Sequence, residues 1–113
     1  MDTLIDLNLE FSGFTGSENF YRHWLGGIYT DGIMAVAEKF QAHWLIDAIF
    51  SYRRSEEFQI WTLEVTKRQG ILTMKEDSDR KPLVKQFIPY TDFPEGILKM
   101  YFVNGVLHLP SEY

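Results

Sequence analysis

The chain reads as an α+β domain, with two or three N-terminal helices packed on one face of an antiparallel sheet of about four to five strands. Three observations predict this. Asn104-Gly105 stands between the apolar runs 97–103 and 106–109, the composition of a two-residue type I′ hairpin whose central residues both take positive φ. Ile33, Val36, Ala37 and Phe40 recur at i, i+3, i+4 and i+7 behind Thr30, the pattern of a capped amphipathic helix. From Glu57 onward the period falls to two, with Trp61, Leu63 and Val65 alternating against Ile60, Thr62, Glu64 and Thr66, as in a half-buried strand. Helices followed by a run of strands is the α+β order.

Taken in order, Leu4, Ile5, Leu7, Leu9 and Phe11 alternate loosely with polar residues, which predicts a short strand or an extended arm laid on the core. Thr15 to Glu18 has capping-box spacing, and Phe20, Tyr21 and Trp24 share a helical face. A first helix is therefore expected from after Thr15 to about Leu25, stopped by Gly26-Gly27. Thr30 caps the second helix, with Asp31 in its first turn. The apolar stripe slips phase at Gln41-Ala42, which predicts a break there and a third helix over 43–53 along Leu45, Ala48, Ile49 and Tyr52. A strand with Trp44, Ile46, Ala48 and Phe50 on one face is the rival reading of that segment. The strands then follow: one around 60–66, a polar turn to Gly70, a return over 71–75, a charged loop over 77–82, a strand over 83–88 ended by Pro89, and the Asn-Gly hairpin. In that hairpin Val103 faces Val106 and Phe102 faces Leu107. Leu98, Met100, Phe102, Leu107 and Leu109 thus fall on the core side, and Lys99, Tyr101 and His108 on the wetter side. The recurring Tyr-Thr-Asp of 29–31 and 90–92 is capping or turn chemistry.

Length and composition narrow the function. A chain of 113 residues forms one domain, 1–113, with a single core. Hydrophobic residues at 45% and charged residues at 24% exclude a disordered chain. Nine Phe, six Tyr and three Trp exceed what one small core usually needs, so some rings are expected at the surface, serving a protein partner or a homodimer, with a core simply rich in rings as the rival reading. A net charge of −5 disfavours direct nucleic-acid binding, because Lys67-Arg68, Arg80-Lys81 and Arg53-Arg54 lie in separate turns and make no basic patch. The absence of cysteine excludes disulfides, thiolate metal sites and a cysteine nucleophile. No segment has the pattern of a signal peptide or the length of a membrane span, so a soluble cytoplasmic protein is expected.

Few residues suggest chemistry. His43 and Asp47 lie four apart on the predicted third helix, a spacing that suits an acid/base pair or two metal ligands, with His23 the other histidine able to join Asp47. A metal needs a third and a fourth ligand, which only His23, His108 and scattered carboxylates could provide, so neither a metal nor another cofactor is expected. The structural reading of Asp47 is a buried carboxylate held by backbone amides or a tyrosine, or the one polar residue on the helix's wet face. The glycines form no phosphate-binding fingerprint, and neither a nucleophile elbow nor a zincin pattern is present.

The segments 14–24, 29–32, 44–49, 88–94 and 109–113 together resemble an uncharacterised bacterial family of small single-domain proteins, common in cyanobacteria, and the resemblance spans nearly the whole chain. It implies a small intracellular bacterial protein and carries over no functional residues. The expected function is a non-catalytic protein-binding or regulatory module. The rivals are a small acidic inhibitor of a nucleic-acid-binding protein, which requires Glu56, Glu57, Asp77, Asp79 and Glu95 on one face, and an enzyme using Asp47 with His43 or His23.

Overall fold

The computed structural model describes residues 4–16 and 18–113. Two short strands open the sheet, β1 (Phe20–Arg22) and β2 (Ile28–Thr30). They are followed by helices α1 (Asp31–Lys39) and α2 (His43–Ser51) and by strands β3 (Phe58–Thr66), β4 (Gln69–Lys75), β5 (Val84–Ile88), β6 (Gly96–Val103) and β7 (Val106–His108). All seven strands form one sheet in the order β1-β2-β7-β6-β3-β4-β5. Every pairing is antiparallel except that of β2 with β7.

Period-two alternation sorts the sheet into two faces. Trp61, Leu63, Val65, Leu72, Met74, Leu98, Met100 and Leu107 point to the helix side and are buried. Ile33, Val36 and Ala37 of α1 and Leu45, Ile46 and Ile49 of α2 close over them in a single core cluster. The Asn104-Gly105 turn has both residues at positive φ, 53° and 79°, and the register is the expected one, Val103 with Val106 and Phe102 with Leu107. Thr30 caps α1, its hydroxyl accepting from the Ile33 N–H. The break between the helices falls at Gln41, whose φ is +50°, and residues 43–51 are helical, which removes the strand reading of that segment. Thr91 forms the expected local turn, accepting from the Phe93 N–H.

The α+β class holds, and four details differ. The segment expected as a first helix is the β1–turn–β2 hairpin, so two strands precede the helices and the helices number two. Two apolar turns are too short to pay the nucleation cost of an isolated helix, whereas aromatic residues favour a pleated surface. Here Tyr21 stacks on Tyr29 across the pair at 5.5 Å. The sheet has seven strands rather than four to five, because β1 and β2 join it and extend it beyond β7. It is mixed rather than antiparallel, because the α1–α2 segment carries the chain from β2 over the core before it returns. Finally, His108 lies on the side expected to be wet yet is buried, since Tyr113 stacks over its ring at 5.2 Å.

Both chain ends are tied to this frame. A 3-10 helix, Leu7–Phe11, seats Leu7 and Phe11 in the core. Near the other end the Glu112 carboxylate accepts from the Thr30 hydroxyl and from the N–H groups of Gly32 and Leu109, adding negative charge at the N-terminus of α1, where the helix dipole favours it.

Candidate functional site

Of the two candidate partners for Asp47, His43 and His23, the structure brings only His23 to it. His43 is exposed at the first position of α2, while Asp47, one turn on, reaches away to the β1–β2 turn. There the His23 Nε2 stands 2.6 Å from Asp47 Oδ1, and the Trp24 indole N–H donates to the same oxygen at 3.3 Å. The other ring nitrogen of His23 accepts the Leu25 N–H at 3.0 Å. An imidazole that accepts at Nδ1 carries its proton on Nε2, so His23 donates to Asp47. Both nitrogens are therefore engaged, and none is left to take a proton from a substrate.

This arrangement holds a turn together. His23 donates its backbone N–H to Gly27 O, and Gly26 donates to His23 O. The imidazole packs edge-on against Phe50 at 4.9 Å between ring centres. Gly27 sits so close to Phe50 that a Cβ there would fall 2.6 Å from a ring carbon. The Asp47 side chain is half exposed and that of His23 only 5% exposed, so the pair anchors the β1–β2 turn to α2 at the surface. Among the described residues no cluster of three or more His, Cys, Asp or Glu is placed to hold a metal ion.

The face of the sheet away from the helices offers a different kind of site. Cross-strand register places Lys85, Thr73, Thr62 and Lys99 in one row across β5, β4, β3 and β6. The row Lys75, Ile60, Tyr101 and His108 flanks it on one side, and the row Phe87, Ile71, Glu64 and Ile97 on the other. Neither helix covers these rows. Of these residues Ile60, Thr62, Glu64, Thr73, Lys75, Ile97, Lys99 and Tyr101, together with Phe58 and the β4–β5 loop, line an open trough of about 930 Å³. A second hollow of about 430 Å³ shares Ile97, Lys99 and Tyr101 with it and is walled by Leu4, Asp6 and Asn8. At the β7 end the rings of Phe58, Tyr101, His108 and Tyr113 pack as a cluster.

Sequence reading missed this surface because it assigned the solvent side of the sheet to water. The signal was present: Phe58, Ile60, Ile71, Phe87 and Ile97 are apolar at positions of the outward parity, where an ordinary wet face carries charged and polar residues. The carboxylates proposed as one acidic face do not gather. Glu56, Glu57, Asp77 and Asp79 lie toward the start of β3 and the end of β4, whereas Glu95 lies at the far end of β3, its carboxylate accepting from the Lys67 N–H.

A model for a family of unknown function, DUF6876, matches residues 5–113. The chain belongs to the DUF6876 family. The match agrees with the resemblance to an uncharacterised single-domain family read from the sequence, and it runs from the N-terminal arm through the C-terminal turn, so the trough, its walls and the His23–Asp47 anchor all lie within the DUF6876 region. No curated protein and no solved structure matches the chain. No helix among the described residues is long and apolar enough to cross a membrane.

Proposed function

We propose that this DUF6876 protein is a non-catalytic protein-binding module, folded as one domain over 1–113 and working in the cytoplasm of a bacterial cell, and that the open face of its sheet is the surface it uses. The observation that carries the reading is the trough itself. Phe58, Ile60, Ile97 and Tyr101 are only half buried and stand around Thr62 and Thr73 in the trough, and apolar and aromatic side chains left partly exposed among polar ones on an uncovered sheet face are the mixed composition that protein-interaction surfaces present. The His–Asp pair supports the same reading from the other side, because its hydrogen bonds are spent on structure. Surface rings agree with it as well: Trp24 is 78% and Phe87 58% exposed.

Thr62 stands at the centre of the face, so Thr62→Arg is the variant that tests the reading. Tagged wild-type protein and the variant are incubated with nuclease-treated bacterial lysate, and stoichiometric partners are identified by mass spectrometry. A protein partner retained by the wild type and lost with Thr62→Arg is expected. Partners held equally by both, or recovered only with nucleic acid, overturn the assignment.

A further inference from the structure

We infer that the hollow between the α1–α2 junction and the β5–β6 loop binds a small organic cation bearing a methylated ammonium group. It shares no lining residue with the trough. Composition is the first argument. The hollow measures about 310 Å³, at the small end of ligand sites, and half of the residues that line it are aromatic, Phe40, Trp44, Tyr90 and Phe93. Among the described lining residues Asp92 is the one that carries charge, and neither Lys nor Arg takes part. Ring faces are electronegative, so rings and a carboxylate together attract a cation and repel an anion. A bare metal ion would need several oxygen ligands, which one carboxylate does not supply. A methylated ammonium is charged at its centre and apolar on its outside, the chemistry that aromatic walls recognise.

The walls are held in place. Phe40 and Phe93 pack edge-on with ring centres 4.9 Å apart, and Phe93 is buried. Trp44 is only half buried and Tyr90 is 61% exposed, so these two rings are not spent on the core. Tyr90 is nevertheless fixed, its hydroxyl donating to Asp92 Oδ1 at 3.0 Å and accepting from the Arg68 guanidinium at 2.9 Å. That guanidinium stands 6.0 Å from the centre of the Tyr90 ring, so the ring already takes a cation that the chain itself supplies. The Arg68–Asp92 pair is long, 3.8 Å, and both side chains are mostly exposed. A pair of that kind is weak, which leaves the carboxylate's charge open to a ligand. Ring and carboxylate ordered before binding reduce its entropic cost, and the net charge of −5 draws cations toward the surface.

Choline is the probe, titrated into the protein at constant ionic strength and followed through the indole N–H resonances of Trp24, Trp44 and Trp61, with Trp44→Phe identifying the Trp44 signal. A saturable shift confined to Trp44 is expected at micromolar to millimolar choline. The uncharged isostere, in which carbon replaces the choline nitrogen, should bind about tenfold more weakly, the difference that cation–π attraction makes. Tyr90→Leu and Asp92→Asn should each weaken choline by about three- to tenfold, and Tyr90→Phe, which keeps the ring, should retain it. Tyr90 and Asp92 are mostly exposed, so these variants are expected to melt as the wild type does. The absence of a saturable Trp44 shift, equal binding of the isostere, or an affinity unmoved by Tyr90→Leu overturns the site. A peptide carrying trimethyllysine that binds where choline does not overturns the small free cation as its occupant.

Discussion

The side-chain amide of Asn8 substitutes for a missing strand beside Lys99. Its Nδ2 donates to Lys99 O at 2.9 Å and its Oδ1 accepts the Lys99 N–H at 2.7 Å. Strand β7 pairs with only three residues at the far end of β6, so the first half of β6 would otherwise present an unpaired edge inside the fold. The N-terminal arm fills it, with Ile97 N–H donating to Ile5 O at 2.8 Å just before Asn8 takes over. A carboxamide places a donor and an acceptor on separate atoms of one planar side-chain tip, as pairing with the N–H and C=O of a single residue requires.

Asn8→Ala should therefore cost about 0.5–1.5 kcal/mol, the net worth of hydrogen bonds that water can partly replace, and Asn8→Asp should fail to rescue, because a carboxylate accepts but does not donate. Urea denaturation measures the loss, and faster amide exchange confined to Lys99 and its neighbours locates it. An Asn8→Asp protein as stable as wild type would contradict the donor role.

Gly96 is where the arm and β6 come closest. Its φ is +145°, and a Cβ there would stand 2.5 Å from Ile5 O. Gly96→Ala combines an unfavourable backbone conformation with a clash against main chain that no rotamer relieves, so a loss of about 1–3 kcal/mol or more is expected. Thermal melting is the direct measurement.

His108 gives the protein a pH dependence. Burial pushes its pKa below the ordinary imidazole value, while the Val106 carbonyl and the nearby Glu112 carboxylate pull it back up. Its Nε2 is buried without a partner among the described residues. Because the folded pKa is the lower one, the unfolded chain binds more protons between the two values, and stability rises with pH across that window. The contribution is complete above the unfolded pKa, about 6.5, and is lost as pH falls through the folded value. His108→Phe should flatten the difference in unfolding free energy between pH 7 and pH 5 that wild type shows; an unchanged slope would assign it to other groups.

The His23 tautomer is open to direct observation. Long-range nitrogen–proton correlation spectra at neutral pH should show the proton on Nε2 and a bare Nδ1, as the Leu25 and Asp47 contacts require. Asp47→Asn keeps an acceptor and should change stability by well under 1 kcal/mol, whereas Asp47→Ala should cost about 1 kcal/mol. A proton found on Nδ1 would reopen the catalytic reading of the pair.

Local chemistry determined much of this molecule. The Asn104-Gly105 turn, the Thr30 cap, the phase slip at Gln41 and the alternation of Trp61, Leu63 and Val65 were legible in the sequence because each depends on neighbours within a few residues: a φ that only certain residues accept, a hydroxyl within reach of an amide, a side-chain period. Tertiary structure decided what depends on distant partners. Residues 20–30 became a hairpin because β7 offered Tyr29 and Ile28 a strand to join. Asp47 paired with His23 rather than His43 because the β1–β2 turn came within reach of α2. Asn8, Glu112 and the apolar outward row of the sheet acquired their roles only once β6, α1 and the uncovered face existed, since hydrogen-bond geometry and burial are properties of groups brought together by the fold.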